Sequence, residues 1–252
     1  MMLFGAILAL LAKFLAEFSL FGRRYYIIIR YMAEYARLTA EDFKINQRFF
    51  DNNWNCDGWH TEESKWDNYF KMVMIAAESG VDLAGSSCLD VGCGTGDLSK
   101  LLRGVGVREY LGIDIYEPHL VEAHAKYPGE NFVLLDLLAG PLDKFEGRFD
   151  YVFCSGALTT RSASDNYDFA QAMISKMWEM ANAGVAFNTL LTNELNEVMG
   201  NSYLFNYDPH KLLGVCRRAA PDAEIICRVE DDHLNPQAHI HLVRKKKEDV
   251  PT

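Results

Sequence analysis

Three glycines at every second position, Gly92, Gly94 and Gly96, separate a short apolar run from a helix start in Ser87-Cys88-Leu89-Asp90-Val91-Gly92-Cys93-Gly94-Thr95-Gly96-Asp97-Leu98-Ser99. Without a Cβ, the backbone can turn sharply there and come close to a ligand. A buried strand that stops at such a turn and passes into a helix is the opening unit of a doubly wound parallel sheet, and the turn is its nucleotide cradle. The spacing also separates one nucleotide from another. A dinucleotide fingerprint needs a third glycine where this chain has Asp97, and it brings a pyrophosphate to the helix N-terminus, where anions are stabilised. Here carboxylates at Asp90 and Asp97 bracket the loop and would repel a pyrophosphate. They suit a ligand with a cationic amino-acid end and no phosphate.

From Ser87 onward, strand-like and helix-like segments alternate. The strand candidates are Ser87–Val91, Glu109–Asp114, Asn131–Leu135, Phe149–Cys154, Gly184–Leu190, Glu224–Val229 and His239–Arg244. Only residues 230–236 join the last two, too few for a helical crossover, so the final pair is antiparallel. The expected fold class is α/β: a doubly wound, seven-stranded, mostly parallel sheet with a C-terminal antiparallel hairpin, plus a helical N-terminal extension. Upstream of the sheet, a loop through Gly58-Trp59-His60 leads into a helix around Lys65–Ser79.

Asp114 ends the second strand in Leu111-Gly112-Ile113-Asp114-Ile115-Tyr116, about twenty residues past the glycine turn, where a carboxylate accepts hydrogen bonds from ribose hydroxyls. With Asp90 and Asp97, this favours S-adenosylmethionine (SAM), which carries an ammonium and a sulfonium. The string LDVGCGTGDLS resembles the first motif of the class I SAM-dependent methyltransferases, and Asp114 matches the second landmark of that family. The resemblance implies that Asp90, Gly92, Cys93, Gly94, Gly96, Asp114 and Ile115 hold the cofactor. It further implies that Asp136 takes the adenine amino group, while Leu137 offers backbone contacts to the ring edge. In the family, the exit of the fourth strand faces the methyl group, which places Ser155 of Cys154-Ser155-Gly156-Ala157 on the cofactor and acceptor side. An NPPY-type turn of amino-methylating DNA enzymes is absent there. Thr159-Thr160-Arg161 opens either a substrate-side loop or an ordinary connector. Trp59 either covers the sulfonium or packs in the core, and His60 is either a base on an acceptor hydroxyl or a plain loop residue.

The layout from Asp57 to Arg244 also looks like a group of bacterial-type methyltransferases of uncertain substrate, with Ala186-Phe187-Asn188-Thr189-Leu190 and Tyr207-Asp208-Pro209 among its shared features. By this resemblance, residues 46–252 form a SAM-dependent methyltransferase domain. Such a domain would move a methyl group from SAM by in-line displacement, leaving S-adenosylhomocysteine (SAH), and the acidic charge and lack of nucleic-acid features suggest an O- or N-nucleophile of a small molecule as the acceptor. Two alternatives are a methyltransferase acting on a membrane-associated lipid or quinone, and a non-catalytic SAM-fold partner subunit.

Charge and composition bear on partners. A net charge of −10 argues against a broad nucleic-acid footprint, and no nucleic-acid partner is expected. The one dense basic run, Arg244-Lys245-Lys246-Lys247, reads as a solvated strand end. The six cysteines are scattered without CxxC pairs, which suggests neither a zinc site nor a disulfide framework. His239 and His241 lie two apart without a companion carboxylate pattern, so no metal is expected. A reducing, cytoplasmic setting fits.

Residues 1–45 differ from the rest. Phe4, Ile7, Leu8, Leu11, Phe14, Leu15 and Phe18 keep helical spacing. Lys13 and Glu17 each oppose full insertion in a membrane by about 2–3 kcal/mol near its centre. Three readings stand: a helix packed on the domain or a partner, an interfacial helix, and a true span. Residues 1–22 are thus the candidate surface for membrane or protein docking, with peripheral membrane association as the alternative location.

Overall fold

In a computed structural model, which describes residues 59, 61–139, 145–159, 165–192, 204–230 and 236–245, local sequence sets the helix starts. Thr61 caps α1 (Glu62–Glu78), its side chain accepting from the Ser64 N–H at 3.0 Å. Asp165 caps α4 (Asn166–Met180) and Asp208 caps α5 (Pro209–Ala219), where proline at the first helical position needs no donor. Among the described residues the other α-helices are α2 (Asp97–Gly104) and α3 (Glu117–Lys126). The described residues belong to one unit, Asn52–Thr252. The helical extension expected over residues 1–45, His60, and Thr160 and Arg161 lie outside the described residues.

Seven strands form one sheet: β1 (Ser87–Val91), β2 (Glu109–Asp114), β3 (Asn131–Leu134), β4 (Phe149–Cys154), β5 (Ala181–Leu190), β6 (Ala223–Glu230) and β7 (Gln237–Arg244). Their spatial order is β3-β2-β1-β4-β5-β7-β6. Pairing is parallel from β3 through β5, whereas β7 runs antiparallel to both β5 and β6. The expected mostly parallel sheet with a closing antiparallel hairpin is what forms. Chain direction reverses its progress across the sheet between β1 and β4. In such sheets the crevice at that switch, beyond the carboxyl ends of the strands, takes the ligand.

Alternation along the strands divides the sheet into two unlike faces. On one face, Leu89, Val91, Leu111, Ile113, Val152, Cys154, Val185, Phe187, Ile240 and Leu242 pack with Met173, Ile174 and Met177 of α4 and Leu212 and Val215 of α5. The other face carries buried polar groups that meet α1. Asn188 and His239 bond to Asn68, and His241 bonds to Ser79. The apolar face holds the fold together, and the polar face leads to the site.

Candidate active site

The glycine turn between β1 and α2 is built as its sequence requires. Gly92, Gly94 and Gly96 all have positive φ, at 69°, 53° and 81°. At Gly92 a Cβ would come within 2.8 Å of the Ala157 Cβ, so the turn sits directly against the exit of β4. At Gly96 it would meet Phe132 Cζ at 2.5 Å. The N–H groups of Gly92 and Cys93 both donate to the Ile113 carbonyl, at 2.8 and 3.0 Å, which ties the turn to the end of β2.

Asp114, at that end, organises the cradle. Its Oδ2 accepts from the Gly94 N–H at 2.8 Å and its Oδ1 from the Tyr116 N–H at 2.8 Å. The residue is 8% exposed, and His119 Nδ1 stands 3.8 Å from Oδ2. Each carboxylate oxygen keeps acceptor capacity beyond its one backbone bond. Ile115 and Tyr116, the next two residues, are 73% and 55% exposed. An apolar ledge thus adjoins a carboxylate, which is the combination a purine and its ribose need. Asp136 stands exposed after β3, with its Oδ1 accepting from the Leu138 N–H at 2.8 Å, and Leu137 is buried.

The two carboxylates that bracket the turn behave differently from the charge argument made on the sequence. Asp97 faces inward. Its Oδ2 lies 2.6 Å from Lys65 Nζ, its Oδ1 lies 3.0 Å from Lys126 Nζ, and it accepts from the Tyr127 hydroxyl at 2.6 Å. Burial alone would raise its pKa, but the two lysines bring it down to about 2. Its negative charge is therefore met inside the protein. Asp90 is 2% exposed and accepts from the Tyr110 hydroxyl at 2.8 Å. Burial pushes its carboxyl up to about 7, against the Tyr110 bond, with the Asp114 charge adding to the rise. Neither acid presents a free carboxylate to the loop surface. Cys93 is also buried, and its thiol is held well above the usual range by burial and by Asp90 and Asp114.

On the β4 side, Ser155 and Gly156 form a half-buried turn. Gly156 has a φ of 80°, and a Cβ there would touch Trp59 Cζ2 at 3.4 Å. Trp59 thus lies over this turn, edge-on to Tyr69 with ring centroids 6.0 Å apart. Trp59 is half-buried, packed on Tyr69 beside the turn rather than within the core, while His60 lies outside the described residues. The structure accordingly gathers the glycine turn, Asp114, Ser155 and Trp59 around the carboxyl ends of β1, β2 and β4, with Asp136 beyond β3.

Lys65, Asn68 and Tyr110 escape a reading of the sequence, as do the buried hydrogen bonds of Asn188 and His239. One signal was available. Lys65 and Asn68 share helical spacing with Tyr69, Met72 and Ala76, all buried on α1, so two polar residues occupy core positions.

Residues 88–182 match the family model described as a methyltransferase domain. No curated protein matches the chain. Among solved structures, the magnesium protoporphyrin IX methyltransferase ChlM of Synechocystis PCC 6803 with bound SAH superposes with a TM-score of 0.62 at 18% identity, covering 83% of this chain and 100% of that one. A SAM-dependent methyltransferase of Mesorhizobium loti gives 0.51 at 16% identity over 68% of this chain and 96% of that chain. The [4+2]-cyclase SpnF gives 0.55 at 15% identity over 70% and 81%. At these identities the likeness speaks for the fold, and a cyclase among the neighbours shows that the fold serves more than one chemistry. The family model marks residues 88–182 as similar to a methyltransferase domain, and the glycine turn, the strand order and the closing hairpin agree with the Rossmann-like fold of SAM-dependent methyltransferases.

Proposed function

We propose that the chain methylates an O- or N-nucleophile of a small molecule, with the cofactor seated along the carboxyl ends of β1, β2 and β3. The observation that carries the seating is Asp114, whose carboxylate is pinned to the glycine turn through the Gly94 N–H and stays open to further donors. Asp114 would take the ribose hydroxyls, Ile115 one face of the adenine, and Asp136 with the Leu137 backbone its edge. Gly92, Gly94 and Gly96 would let the backbone approach the cofactor, with Cys93 filling the space beneath and Asp90 supporting the turn from below. Ser155 and Trp59 would border the methionine end.

When bound, SAM supplies a methyl group on a positively charged sulfur that departs as a neutral thioether. The protein's task is then chiefly alignment. The β4 exit is suited to it, because both backbone polar groups of Gly156 are held. Gly156 N–H donates to Asn188 Oδ1 at 2.9 Å, and the Gly156 carbonyl accepts from the Thr159 N–H at 3.0 Å and from the Thr159 hydroxyl at 2.5 Å. A small-molecule acceptor is supported by the net charge of −10, which opposes a polyanion. It is supported too by a structural neighbour that acts on a porphyrin. Among the described residues no helix is long and apolar enough to cross a membrane.

The test is SAM binding by titration calorimetry with Asp114→Ala. Removal of a carboxylate that accepts from two ribose hydroxyls should weaken SAM by about a hundredfold or more, with the folded circular dichroism spectrum kept. Wild-type affinity in the variant would sink the seating. Radiolabelled methyl transfer into a fractionated cell extract, with Asp114→Ala as the blank, then reads the acceptor class. Label in the water-soluble small-molecule fraction is the expected result, and label in nucleic acid or protein would overturn it.

A further inference from the structure

Beneath the Ser155–Gly156 turn lies a chain of buried amides whose direction is fixed at both ends. At the upper end, Asn188 Oδ1 lies 2.9 Å from the Gly156 N, which can only donate. That atom of Asn188 is therefore the carbonyl oxygen, and its amide nitrogen points down to Asn68 Oδ1 at 2.8 Å. At the lower end, Asn68 Nδ2 lies 2.8 Å from the Ser64 carbonyl, which can only accept. The orientation of Asn68 is fixed in turn, and its Oδ1 also meets His239 Nε2 at 2.9 Å. Because that oxygen only accepts, His239 must carry its proton on Nε2. Asn68, Asn188 and His239 are 3%, 2% and 1% exposed. Buried polar groups are costly unless bonded, and here the direction of every bond is set.

One consequence reaches the site. Ser155 Oγ lies 3.2 Å from the same Asn188 Oδ1. A carbonyl oxygen accepts, so the serine hydroxyl has to donate its only proton inward. What Ser155 offers outward is then lone pairs alone. We infer that Asn188 is a positioning residue which, held by Asn68 and His239, presets the Ser155 hydroxyl as a hydrogen-bond acceptor for the ammonium group of the cofactor.

This inference rests on the SAM seating proposed above, and three features favour the ammonium as the donor. The turn abuts the glycine loop, since Gly92 allows Ala157 to within van der Waals range. Trp59 stands against Gly156 and places an aromatic ring beside the turn. Both carboxylates flanking the loop are engaged elsewhere, Asp97 by Lys65 and Lys126 and Asp90 by Tyr110 in the interior. A cationic end placed here is met by a neutral acceptor.

The experiment compares full-length wild type, Ser155→Ala, Asn188→Ala and the double variant by calorimetric titration with two probes. One probe is SAH; the other is the SAH analogue that lacks the α-amino group. Ser155→Ala should weaken SAH by about tenfold or more, the range of a hydrogen bond to a charged group, and leave the amino-free analogue unchanged. Asn188→Ala should show the same selective loss, and the double variant should be no worse than either single. A merely structural defect would weaken both probes alike. Wild-type SAH affinity in Ser155→Ala overturns the inference, as do equal losses for the two probes or losses that multiply in the double variant. If Asn188→Ala does not fold, the Ser155→Ala comparison decides alone. Failure of wild type to bind SAH at all would instead remove the underlying seating.

Discussion

At the scale of single residues, the most consequential side chain outside the glycine turn is Lys65. Its side chain is 1% exposed, and its ammonium lies 2.6 Å from Asp97 Oδ2 and 2.8 Å from Glu62 Oε1. Taking such a charge from water costs several kcal/mol, and the partner returns it only while the pair is intact. Lys65→Met keeps the volume but strips Asp97 of its closest cation, leaving Lys126, which is 40% exposed. The expected loss is about 3 kcal/mol of stability in urea unfolding. A loss below about 1 kcal/mol would show that Lys126 alone satisfies the buried carboxylate. The pair also explains what a reading of the sequence missed. Asp97 is legible as a helix-opening acid beside the glycine turn, yet its counter-ion stands 32 positions away, in a helix whose pattern gives no partner. Asn188 and Asn68, 120 positions apart, were hidden for the same reason. The place of Asp114 at the end of β2, beside the glycine turn, is local to one strand end and could be read; the buried polar links around it are not local.

At the scale of elements, the glycine turn ties three pieces together, and its tightest point is Gly96. A side chain there would require a left-handed backbone, at φ 81°, and would press on Phe132 Cζ at 2.5 Å and Ala123 Cβ at 3.2 Å. Gly96→Ala should therefore lower stability by about 2–4 kcal/mol, the sum of left-handed strain and overpacking. Adding Phe132→Leu should return the packing part and leave the strain. A thermal melt of the double variant matching that of Phe132→Leu alone would show that strain contributes nothing. Element identity followed well from pattern: seven strands were expected and seven form. Their ends moved for physical reasons. β5 begins at Ala181, three residues before the expected Gly184, because Ala181 pairs with Phe149 of β4 although Ala181-Asn182-Ala183 has little strand propensity of its own. β7 begins at Gln237 because it pairs with Glu230 of β6 and Leu190 of β5. Pairing partners, which periodicity does not reveal, decide where strands stop.

At the scale of the whole molecule, the polar face of the sheet should set the response to acid. Burial pushes His239 down to about 4, with Lys71 adding to the effect, and burial pushes His241 down to about 4 as well. Both pKa values lie below the ordinary 6.5, so between about pH 4 and 6.5 the unfolded chain binds two protons that the folded one excludes. Asp90 works the other way. Its folded value of about 7 exceeds the ordinary 3.8, so across the same window the folded protein holds one proton that the unfolded chain has released. The balance is about one extra proton on the unfolded side, and stability should rise with pH through this window by about 1.4 kcal/mol per unit. Asp97, lowered to about 2, stays ionised in both states above about pH 4 and contributes its own loss only between about 4 and 2. Replacing both histidines by glutamine removes the two-proton term, leaves Asp90 alone, and should reverse the sign of the slope. Urea unfolding at a series of pH values from 4 to 7 measures both slopes directly. A wild-type slope near zero would place the buried histidines outside the acid response. A double variant that kept the rising slope would put the sensitive groups elsewhere than on the sheet face that carries Asn188 and meets Asn68 of α1.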